Sequence, residues 1–394
     1  MREFDRPKSM NFRTVPLSQP SFHGSEWAYL KDCLDSGWVS SAGRYVEQFE
    51  KMVSEVAHKK FAIATVNGTS ALHGALLAAG VKQDEEVIVS TLTFIASANA
   101  ISYTGAHPVF IDAEPQFWQM DISLIEKFLG SCKTASGKLF NPVTNRRIAA
   151  IMPVHVLGHP VETQRLKKLA QTYDIPVVED ASEALGSRDS GMSVGSQGLA
   201  SCYSFNGNKI LTCGGGGMVA TDDPDFAFRV RHLTTQAKTS KCEYIHDEVG
   251  YNYRLTNLQA AVGCAQMETL DSVLARKRQI AEQYANLLQE TPGMKLPEER
   301  DGAQSNWWLY TVLNVAKPHK SETIVRRLSE RGVQTRRLWQ PLHLSKPHRK
   351  CQTLGGNVAE SIYDQAISLP SSVSLRADEQ EWVARCLHDI VRTL

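Results

Sequence analysis

The stretch ASCYSFNGNKILTCGGGGMVAT, residues 200–221, is the part of the chain from which its fold class can be worked out. It begins and ends with short runs that favour β-strands, and between them stand Lys209 and, soon after it, four consecutive glycines. Most lysines are solvated surface charges, and glycine runs are often mobile loops. The alternative is that Lys209 directly follows a buried strand and takes part in chemistry.

Further β-rich runs precede this stretch, and helical stretches such as SALHGALLAAG and VETQRLKKLAQTY separate them, with apolar residues at three- and four-residue spacing. The predicted strands are FAIATV (61–66), EVIVS (86–90), PVFID (108–112), IAAIMPV (148–154), IPVVED (175–180), ASCYSF (200–205) and GMVAT (217–221). Such alternation predicts an α/β fold, in which helices cover a seven-stranded, mostly parallel sheet.

The sequence beyond Leu255 has another pattern. Residues 255–288 are typical of long helices, and three segments after them predict a strand, a helix and a strand: WWLYTVLNV (307–315), SETIVRRLSERG (321–332) and GVQTRRLW (332–339). We therefore expect two domains, divided into 1–265 and 266–394. The first holds the N-terminal segment and the large α/β domain, and the second a long helix and a smaller α+β domain.

The composition excludes several classes of partner. Lys and Arg total 43 against 42 for Asp and Glu, so the net charge of +1 does not favour nucleic acid. The N-terminal residues MREFDRPKSMNF contain no apolar segment of the kind found in a signal peptide. No apolar run in the chain approaches the roughly 18 residues that are needed to span a membrane. The eight cysteines, Cys242 among them, form no C-x-x-C pair, which predicts reduced thiols and no metal site. We expect a cytoplasmic protein with no membrane or nucleic-acid partner.

A possible anion site follows the first predicted strand. In VNGTSALHGALLAAG (66–80), Gly68, Thr69 and Ser70 stand where the strand leads into a helix. A helix N-terminus offers unpaired N–H groups and a partial positive charge, and small hydroxyl residues add donors, so this junction suits a phosphate group. Simple capping by Thr69 or Ser70 is the alternative, since the chain has neither a Walker lysine nor a G-x-G-x-x-G motif there.

Asp180 and Lys209 add two further signals. Asp180 ends the strand IPVVED, where a parallel sheet presents side chains to a ligand; its carboxylate either keeps a ring nitrogen protonated or caps a helix. A lysine amine brought into a partly desolvated site can attack an aldehyde and form a Schiff base. A phosphate site, a pyridinium partner and an imine-forming amine, in this chain order, indicate pyridoxal 5'-phosphate as the cofactor.

Nearly the whole chain, from PLSQPSFHGSEW to the C-terminus, resembles the DegT/DnrJ/StrS family of pyridoxal-phosphate-dependent nucleotide-sugar aminotransferases. The motifs that carry the resemblance are GWVSSAGRYVEQFE (37–50), NGTSALHGAL, STLTFIASANAI, PVFIDAEPQFWQMD, PVHVLGHPVE, VVEDASEALGS, SFNGNKILTCGGGGMV, GYNYRLTNLQAAVG and GVQTRRLWQPLHL. The resemblance implies the type I transferase fold of aspartate aminotransferase. It also implies a homodimer that shares its active sites between subunits.

The resemblance assigns roles to matching positions. Lys209 is implied to form the Schiff base, Asp180 to face the pyridine nitrogen, and Glu183 to complete the catalytic set. The other implied cofactor-binding positions are Gly68, Thr69 and Ser204 at the phosphate, Phe94 on the ring face, Asn252 and Arg254 from the neighbouring subunit, and Ser70 and Asn206 close by. For Asn252 and Arg254, a locally packed turn is the alternative.

Glu183 stands where many relatives carry Gln or His beside the phenolic oxygen of the cofactor. A carboxylate next to a phenolate is repelled, so we predict that Glu183 is either protonated, with a raised pKa, or turned toward the substrate. Trp38, His155 and His343 are predicted to line the substrate cleft. Ordinary packing is the alternative for Trp38 and His155.

The motifs EDASEALGS, SFNGNK, TTQAK (234–238) and SNWWLY (305–310) most resemble the branch that acts on 4-keto-6-deoxy sugars in the UDP-N-acetylbacillosamine and legionaminic-acid pathways. The implied reaction moves an amino group from L-glutamate to C4 of a UDP-linked 2-acetamido-4-keto-2,6-dideoxyhexose, in bacterial surface-glycan or nonulosonic-acid biosynthesis. A GDP-perosamine-type 4-aminotransferase is the alternative.

Two other functions are less compatible with the sequence. The related sugar dehydratases have lost the Schiff-base lysine, whereas Lys209 is present here. A DNA-binding regulator would need a basic face, and RVRHLTTQAKTSK (229–241) is the only candidate run.

Overall fold

The computed structural model describes residues 14–240 and 243–394. The sequence features MREFDRPKSMNF, Lys241 and Cys242 lie outside the described residues. The helices are α1 Glu26–Ser36, α2 Arg44–Ala57, α3 Gly68–Ala78, α4 Ala96–Tyr103, α5 Ile122–Ser131, α6 Thr163–Tyr173, α7 Pro224–Thr234, α8 Asn257–Met267, α9 Leu270–Leu288, α10 Ser321–Glu330, α11 Asn357–Gln365 and α12 Ala377–Arg392. The strands are β1 Phe61–Thr65, β2 Glu86–Ser90, β3 His107–Ile111, β4 Lys133–Ala135, β5 Lys138–Phe140, β6 Ile148–Met152, β7 Val178–Asp180, β8 Arg188–Asp189, β9 Met192–Ser193, β10 Ala200–Ser204, β11 Gly217–Thr221, β12 Met294–Lys295, β13 Ala303–Gln304, β14 Thr311–Asn314, β15 Thr353–Leu354 and β16 Ala366–Ser368.

The large sheet contains all seven predicted strands. Its two halves have the orders β1-β11-β10-β7 and β6-β2-β3-β15. Parallel bridges between Ile151 and Val177 and between Val154 and Asp180 join the halves. β11 runs antiparallel to both of its neighbours, and the other pairs are parallel. The predicted α/β fold with a mostly parallel sheet is therefore confirmed, and β15 adds two residues at its edge.

Both faces of the sheet are buried, as the apolar character of the strands requires. In β2, Val87 and Val89 point into one core, which also contains residues of α2, α3 and α4, while Ile88 points into another, which contains residues of α5 and α6. Strands of a parallel sheet that is covered on both sides carry apolar residues at consecutive positions, because successive side chains face opposite layers.

A separate core lies in the C-terminal part of the chain. Side chains of α9, α10, α12, β14 and β16 pack there, and Val15 from the N-terminal segment joins them, fully buried. The strands β12, β14 and β16 form its small antiparallel sheet. The domain boundary after residue 265 stays a prediction, and α8 continues through it to Met267.

Two strand predictions in this region differ from the structure. WWLYTVLNV becomes a strand only at Thr311, and Trp307 has a left-handed φ of 52° that a strand does not accommodate. The strand predicted for GVQTRRLW is wrong. Val333 forms an isolated bridge with Val15, and Arg336 forms another with Ser368. Because the two bridges are to different segments, no continuous strand pairing forms.

Among the described residues, no helix combines the length and the apolar character needed to cross a lipid bilayer.

Candidate active site

The site begins at the N-terminus of α3, directly after β1. Asn67 precedes the helix, and its Oδ1 accepts a hydrogen bond of 2.8 Å from the N–H of Ser70. Asn67 is therefore the capping residue, in place of Thr69 or Ser70, and Ser70 does not line the cavity into which this helix start opens. The first N–H groups of a helix, here those of Gly68 and Thr69, have no partner within the helix and are available to an anion.

Three small residues meet in front of this helix start. A Cβ atom placed on Gly68 would lie 2.9 Å from the Cβ of Ser204 and 3.5 Å from the Oγ of Ser182. Glycine thus lets Ser204 and Ser182 pack close to the helix start, where a side chain would push Ser204 away. Backbone N–H groups, a helix N-terminus and two hydroxyls form a donor set that fits a phosphate group.

The Asp180 carboxylate lies at the carboxyl end of β7 and is almost fully buried, with 4% exposure. Its Oδ2 accepts a hydrogen bond of 2.7 Å from the Ser97 hydroxyl, and its Oδ1 accepts one of 3.1 Å from the Ser182 N–H. These two contacts fix the orientation of the carboxylate, as a partner for a protonated ring nitrogen requires.

Lys209 lies in the turn that follows β10, where its N–H donates to the Asn206 carbonyl at 3.0 Å. Its Nζ lies 3.3 Å from Oε1 of Glu183 and 4.0 Å from the centre of the Trp308 ring. The amine therefore stands between a carboxyl group and an aromatic face, largely shielded from water with 13% side-chain exposure.

These groups border one cavity of about 220 Å³. The predicted residues that line it are Gly68, Thr69, Phe94, Asp180, Glu183, Ser204, Asn206 and Lys209. The phosphate-binding end, the buried carboxylate and the amine thus open into the same space. This arrangement fits pyridoxal 5'-phosphate, which carries an anion, a basic ring nitrogen and an aldehyde.

The model of the DegT/DnrJ/EryC1/StrS aminotransferase family matches residues 20–388. The chain belongs to this family. It is 37% identical to the GDP-perosamine synthase of Escherichia coli O157:H7 over 375 residues, which cover 95% of this chain and 98% of that one. The GDP-perosamine synthase of Caulobacter vibrioides is 34% identical, with 96% of this chain and 98% of that one covered.

Among solved structures, DesV of S. venezuelae in complex with a ketimine intermediate superposes with a TM-score of 0.84 and 31% identity, covering 94% of this chain and 95% of that chain. This aminotransferase therefore has the type I transferase fold, and pyridoxal 5'-phosphate is its cofactor, as the sequence predicted.

Glu183 is buried beside the Lys209 amine. Its Oε2 accepts a hydrogen bond of 2.9 Å from the N–H of Leu157, a residue with a left-handed φ of 59°. Burial raises the pKa of the Glu183 carboxyl more than the Lys209 ammonium and the Leu157 N–H lower it. The raised pKa favours the protonated form, which was one of the two alternatives predicted for this position.

In this aminotransferase, the glycine run 214–217 allows the backbone to pack tightly next to the turn that contains Lys209. Gly216 has a φ of 130°, which other residues rarely adopt. A Cβ on Gly217 would lie 2.4 Å from the Asn67 carbonyl oxygen, so β11 can start against the α3 entry only with glycine there. The run therefore allows the start of β11 to pack against the entry to α3, and it is not a flexible linker.

His155 does not line the cavity. It is fully buried: its Nε2 lies 3.0 Å from Oε2 of Glu179, and its Nδ1 accepts a hydrogen bond from the Val161 N–H at 3.2 Å. Both ring nitrogens are used inside the protein, so the structure supports the packing alternative for this residue.

The two other predicted substrate residues also lie outside the cavity lining. His343 contacts the Thr91 hydroxyl at 2.7 Å and a carboxylate oxygen of Glu360 at 3.0 Å. Trp38 is 59% exposed, in the loop between α1 and α2. Asn252 and Arg254 form backbone bridges to Thr235 and Thr65 and likewise do not line the cavity of their own chain.

Sequence reasoning missed several residues that line the cavity, among them Ser182, Trp308 and Arg336. All three lie within motifs that carry the family resemblance. The motifs indicated a cofactor site, but nothing in the sequence distinguished these three residues from their neighbours. Trp308 is fixed by a hydrogen bond of 2.6 Å from its Nε1 to the Asn208 carbonyl.

Lys277 of α9 binds the backbone of Trp308. Its Nζ donates to the Trp308 carbonyl at 2.8 Å and also to the Ser371 carbonyl, and burial lowers its pKa to about 7. No feature of the sequence LARKRQIA singles out this lysine.

Proposed function

We propose that this aminotransferase moves the amino group of L-glutamate to C4 of a GDP-linked 4-keto-6-deoxyhexose. The observation that carries the proposal is the meeting of Lys209, Asp180 and the Gly68 helix start in one cavity, in a chain 37% identical to a GDP-perosamine synthase over nearly the full length of both. The sequence motifs alone favoured a UDP-linked acetamido sugar, and the relatives now favour the guanosine nucleotide.

Several cavity residues have a part in this reaction. The bound cofactor supplies an electron sink, which stabilises the carbanion left when the amino acid loses its Cα proton. Gly68, Thr69 and Ser204 bind the phosphate, and Asp180 keeps the ring nitrogen protonated. Lys209, 3.3 Å from Glu183, takes the proton from Cα of glutamate and later delivers one to C4 of the sugar.

Glu183 acts in its protonated form in this proposal. A neutral carboxyl group donates a hydrogen bond to an oxygen anion, whereas a carboxylate repels it. The raised pKa of Glu183, which results from its burial, supports this role.

We also propose a homodimer in which Asn252 and Arg254 reach the phosphate region of the neighbouring cofactor. Several large apolar side chains are exposed on the single chain, at Trp27 (78%), Phe228 (73%) and Val249 (81%). Exposed apolar surface of this kind is typical of subunit interfaces.

A regulator that binds DNA through residues 229–241 is not favoured. Arg229 pairs with Glu248, and Arg231 pairs with Glu50 at 2.8 Å, so the described part of the run has its charge partly neutralised. The presence of Lys209 in the cavity argues against a sugar dehydratase.

The decisive experiment incubates the purified holoenzyme with L-glutamate and either a GDP-linked 4-keto-6-deoxyhexose or a UDP-linked 2-acetamido-4-keto-2,6-dideoxyhexose. Formation of 2-oxoglutarate and of the amino sugar is followed by mass spectrometry. We expect kcat/KM to be at least about tenfold higher with the GDP sugar. Turnover of the UDP sugar alone would overturn the nucleotide assignment, and bleaching of the cofactor by glutamate without turnover of either sugar would overturn the acceptor class.

A further inference from the structure

Lys277, in the middle of α9, is a buried cation that does not line the cofactor cavity. It is 3% exposed, and its Nζ donates hydrogen bonds to the Trp308 carbonyl at 2.8 Å and to the Ser371 carbonyl. A lysine is rarely buried this completely unless an anion pairs with it. No carboxylate within residues 14–240 and 243–394 forms an ion pair with Lys277, so the two carbonyl oxygens compensate its burial.

The two hydrogen bonds connect α9 to two segments that are distant in the sequence. Ser371 follows β16, and its Oγ accepts a hydrogen bond of 3.0 Å from the N–H of Tyr310. The Trp308 N–H donates to Oδ1 of Asn306 at 3.0 Å, and its carbonyl accepts from Lys277. One of the two backbone groups of Trp308 is therefore held by the Lys277 amine.

The position of Trp308 matters because its ring contacts the reacting amine. The ring centre lies 4.0 Å from the Nζ of Lys209, and the indole N–H donates to the Asn208 carbonyl at 2.6 Å. Lys209 and Lys277 also line a further, small cavity of about 10 Å³, so the two amines are neighbours in the fold. A shift of the Trp308 backbone would change the surroundings of Lys209.

The charge of Lys277 changes near neutral pH. Burial lowers its pKa to about 7, and hydrogen bonds from an ammonium are roughly twice as strong as those from a neutral amine. Loss of the proton therefore weakens both bonds to the carbonyls. The charged and titratable groups of the surrounding elements are Lys209 in the turn after β10, Arg276 and the Glu299-paired Arg278 on α9, and the phenols of Tyr284 and Tyr310, whose pKa values are raised by burial.

We propose that the Lys277 ammonium positions Trp308 against the Lys209 amine, and that loss of its proton loosens this contact and weakens cofactor binding. Lys277 is a positioning residue, because it acts on the cavity through Trp308. The inference rests on the proposed role of Lys209. It goes beyond that role by making the cofactor affinity depend on a proton that is held outside the cavity.

The test compares Lys277→Met with Arg276→Met. Methionine retains an unbranched apolar side chain and removes the charge and the donors. Arg276 is the matched control, because it also donates from α9 to backbone carbonyls, which are those of Val373 and Leu375 rather than that of Trp308. Apoprotein is titrated with pyridoxal 5'-phosphate at about pH 6 and at about pH 9, on either side of the Lys277 pKa, and the visible absorbance is followed.

We expect Lys277→Met to weaken cofactor affinity about 5- to 20-fold near pH 6. The loss should shrink to less than about fourfold near pH 9, where the neutral wild-type amine donates more weakly. Arg276→Met should stay within about twofold of the wild type at both pH values. Because Lys277 acts through the Trp308 ring, adding Lys277→Met to Trp308→Leu should weaken affinity by no more than about a further twofold.

The pH dependence of apoprotein stability is a readout without cofactor. The unfolded chain keeps the lysine proton up to the ordinary pKa of 10.5, whereas the folded protein releases it near pH 7. The wild type therefore gains stability relative to Lys277→Met as pH rises from about 7 to about 10. The Tm of Lys277→Met minus that of the wild type should be level below this range and fall within it.

Lys277→Arg extends the test to a variant that keeps the charge at every pH. Its cofactor affinity relative to the wild type should rise at least about twofold between about pH 6 and about pH 9, as the wild-type amine loses its proton. If Lys277→Met does not fold, this ratio decides alone, and a constant ratio contradicts the proposal.

Four results with Lys277→Met would overturn the proposal: a loss of affinity that is equal at both pH values, a loss that Arg276→Met reproduces, a loss that adds in full to that of Trp308→Leu, or a Tm difference that does not depend on pH. Failure of the proposed role of Lys209 is seen separately. A Lys209→Ala protein that keeps the absorbance of a lysine imine contradicts that role, and the apoprotein Tm comparison of Lys277→Met remains valid.

Discussion

The Lys209 Nζ lies 4.0 Å from the centre of the Trp308 ring, over the aromatic face. The two residues are 99 positions apart, and the contact joins the turn after β10 to the segment that leads into β14. The Asn208 carbonyl next to the lysine accepts the Trp308 indole N–H, so the ring and the turn hold each other in place. The reacting amine is thus restrained before any ligand binds.

Trp308→Leu should weaken cofactor binding. The substitution removes the ring that restrains the Lys209 side chain and leaves the Asn208 carbonyl without its donor, which costs about 1–3 kcal/mol. We expect roughly 5- to 30-fold weaker affinity for pyridoxal 5'-phosphate, measured by titrating the visible absorbance of the protein. Trp307→Leu is the control, since Trp307 does not line the cavity; equal losses in both variants would contradict a specific role for Trp308.

Gly68→Ala should damage the phosphate end of the cavity. The new Cβ would lie 2.9 Å from the Cβ of Ser204, closer than carbon atoms pack, so Ser204 must move away from the phosphate. We expect at least about tenfold weaker cofactor affinity at a small loss of apoprotein stability. Gly207→Ala is the control, because a Cβ there would meet nothing within 4 Å. Unchanged affinity in Gly68→Ala would exclude this position as the phosphate site.

Glu183→Gln should change the pH dependence of apoprotein stability. Because burial raises the pKa of Glu183, the folded protein keeps this proton to a higher pH than the unfolded chain does. Folding is therefore penalised increasingly as pH rises from the ordinary carboxyl range through the raised pKa, and glutamine removes that penalty. The Tm of Glu183→Gln minus that of the wild type should grow as pH rises above the ordinary carboxyl range, and it should level off once the raised pKa has been passed.

The same variant should also shift the pH titration of the cofactor absorbance in the holoenzyme and lower turnover. If the Tm difference does not depend on pH and the absorbance titration is unchanged, Glu183 is not the protonated group that we propose.

The fold and the centre of the site could be predicted from the sequence for a local reason. Each of Gly68, Asp180 and Lys209 stands where a predicted strand ends, and residues at such junctions gather at one edge of a parallel sheet. The role of His155 could not be predicted this way, because it depends on Glu179, which is 24 residues away in the chain. Trp308 comes from beyond the large sheet, and no local pattern shows which side chains of that region reach back to the cavity.

His155→Leu should reduce stability and leave substrate binding unchanged. Burial alone would raise the pKa of Glu179, but hydrogen bonds from His155 and from the Gly198 N–H hold it below its ordinary value. Losing the His155 donor leaves a fully buried carboxylate with one bond fewer, which costs about 2–3 kcal/mol. Urea unfolding measures the loss, and KM for the ketosugar should stay within about twofold. Normal stability with a raised KM would restore His155 to the substrate cleft.

Mixing two inactive variants should restore activity if the active sites are shared. Lys209→Ala removes the reacting amine, and Arg254→Ala removes the residue proposed to reach the neighbouring cofactor. In a heterodimer of the two, the site that keeps Lys209 receives Arg254 from its partner and is complete. Because random exchange makes half of the dimers mixed, each with one complete site, up to about a quarter of wild-type turnover should return after the variants are unfolded and refolded together. If Arg254 serves the site of its own chain, every site lacks one of the two residues, and the refolded mixture stays as inactive as the separate variants.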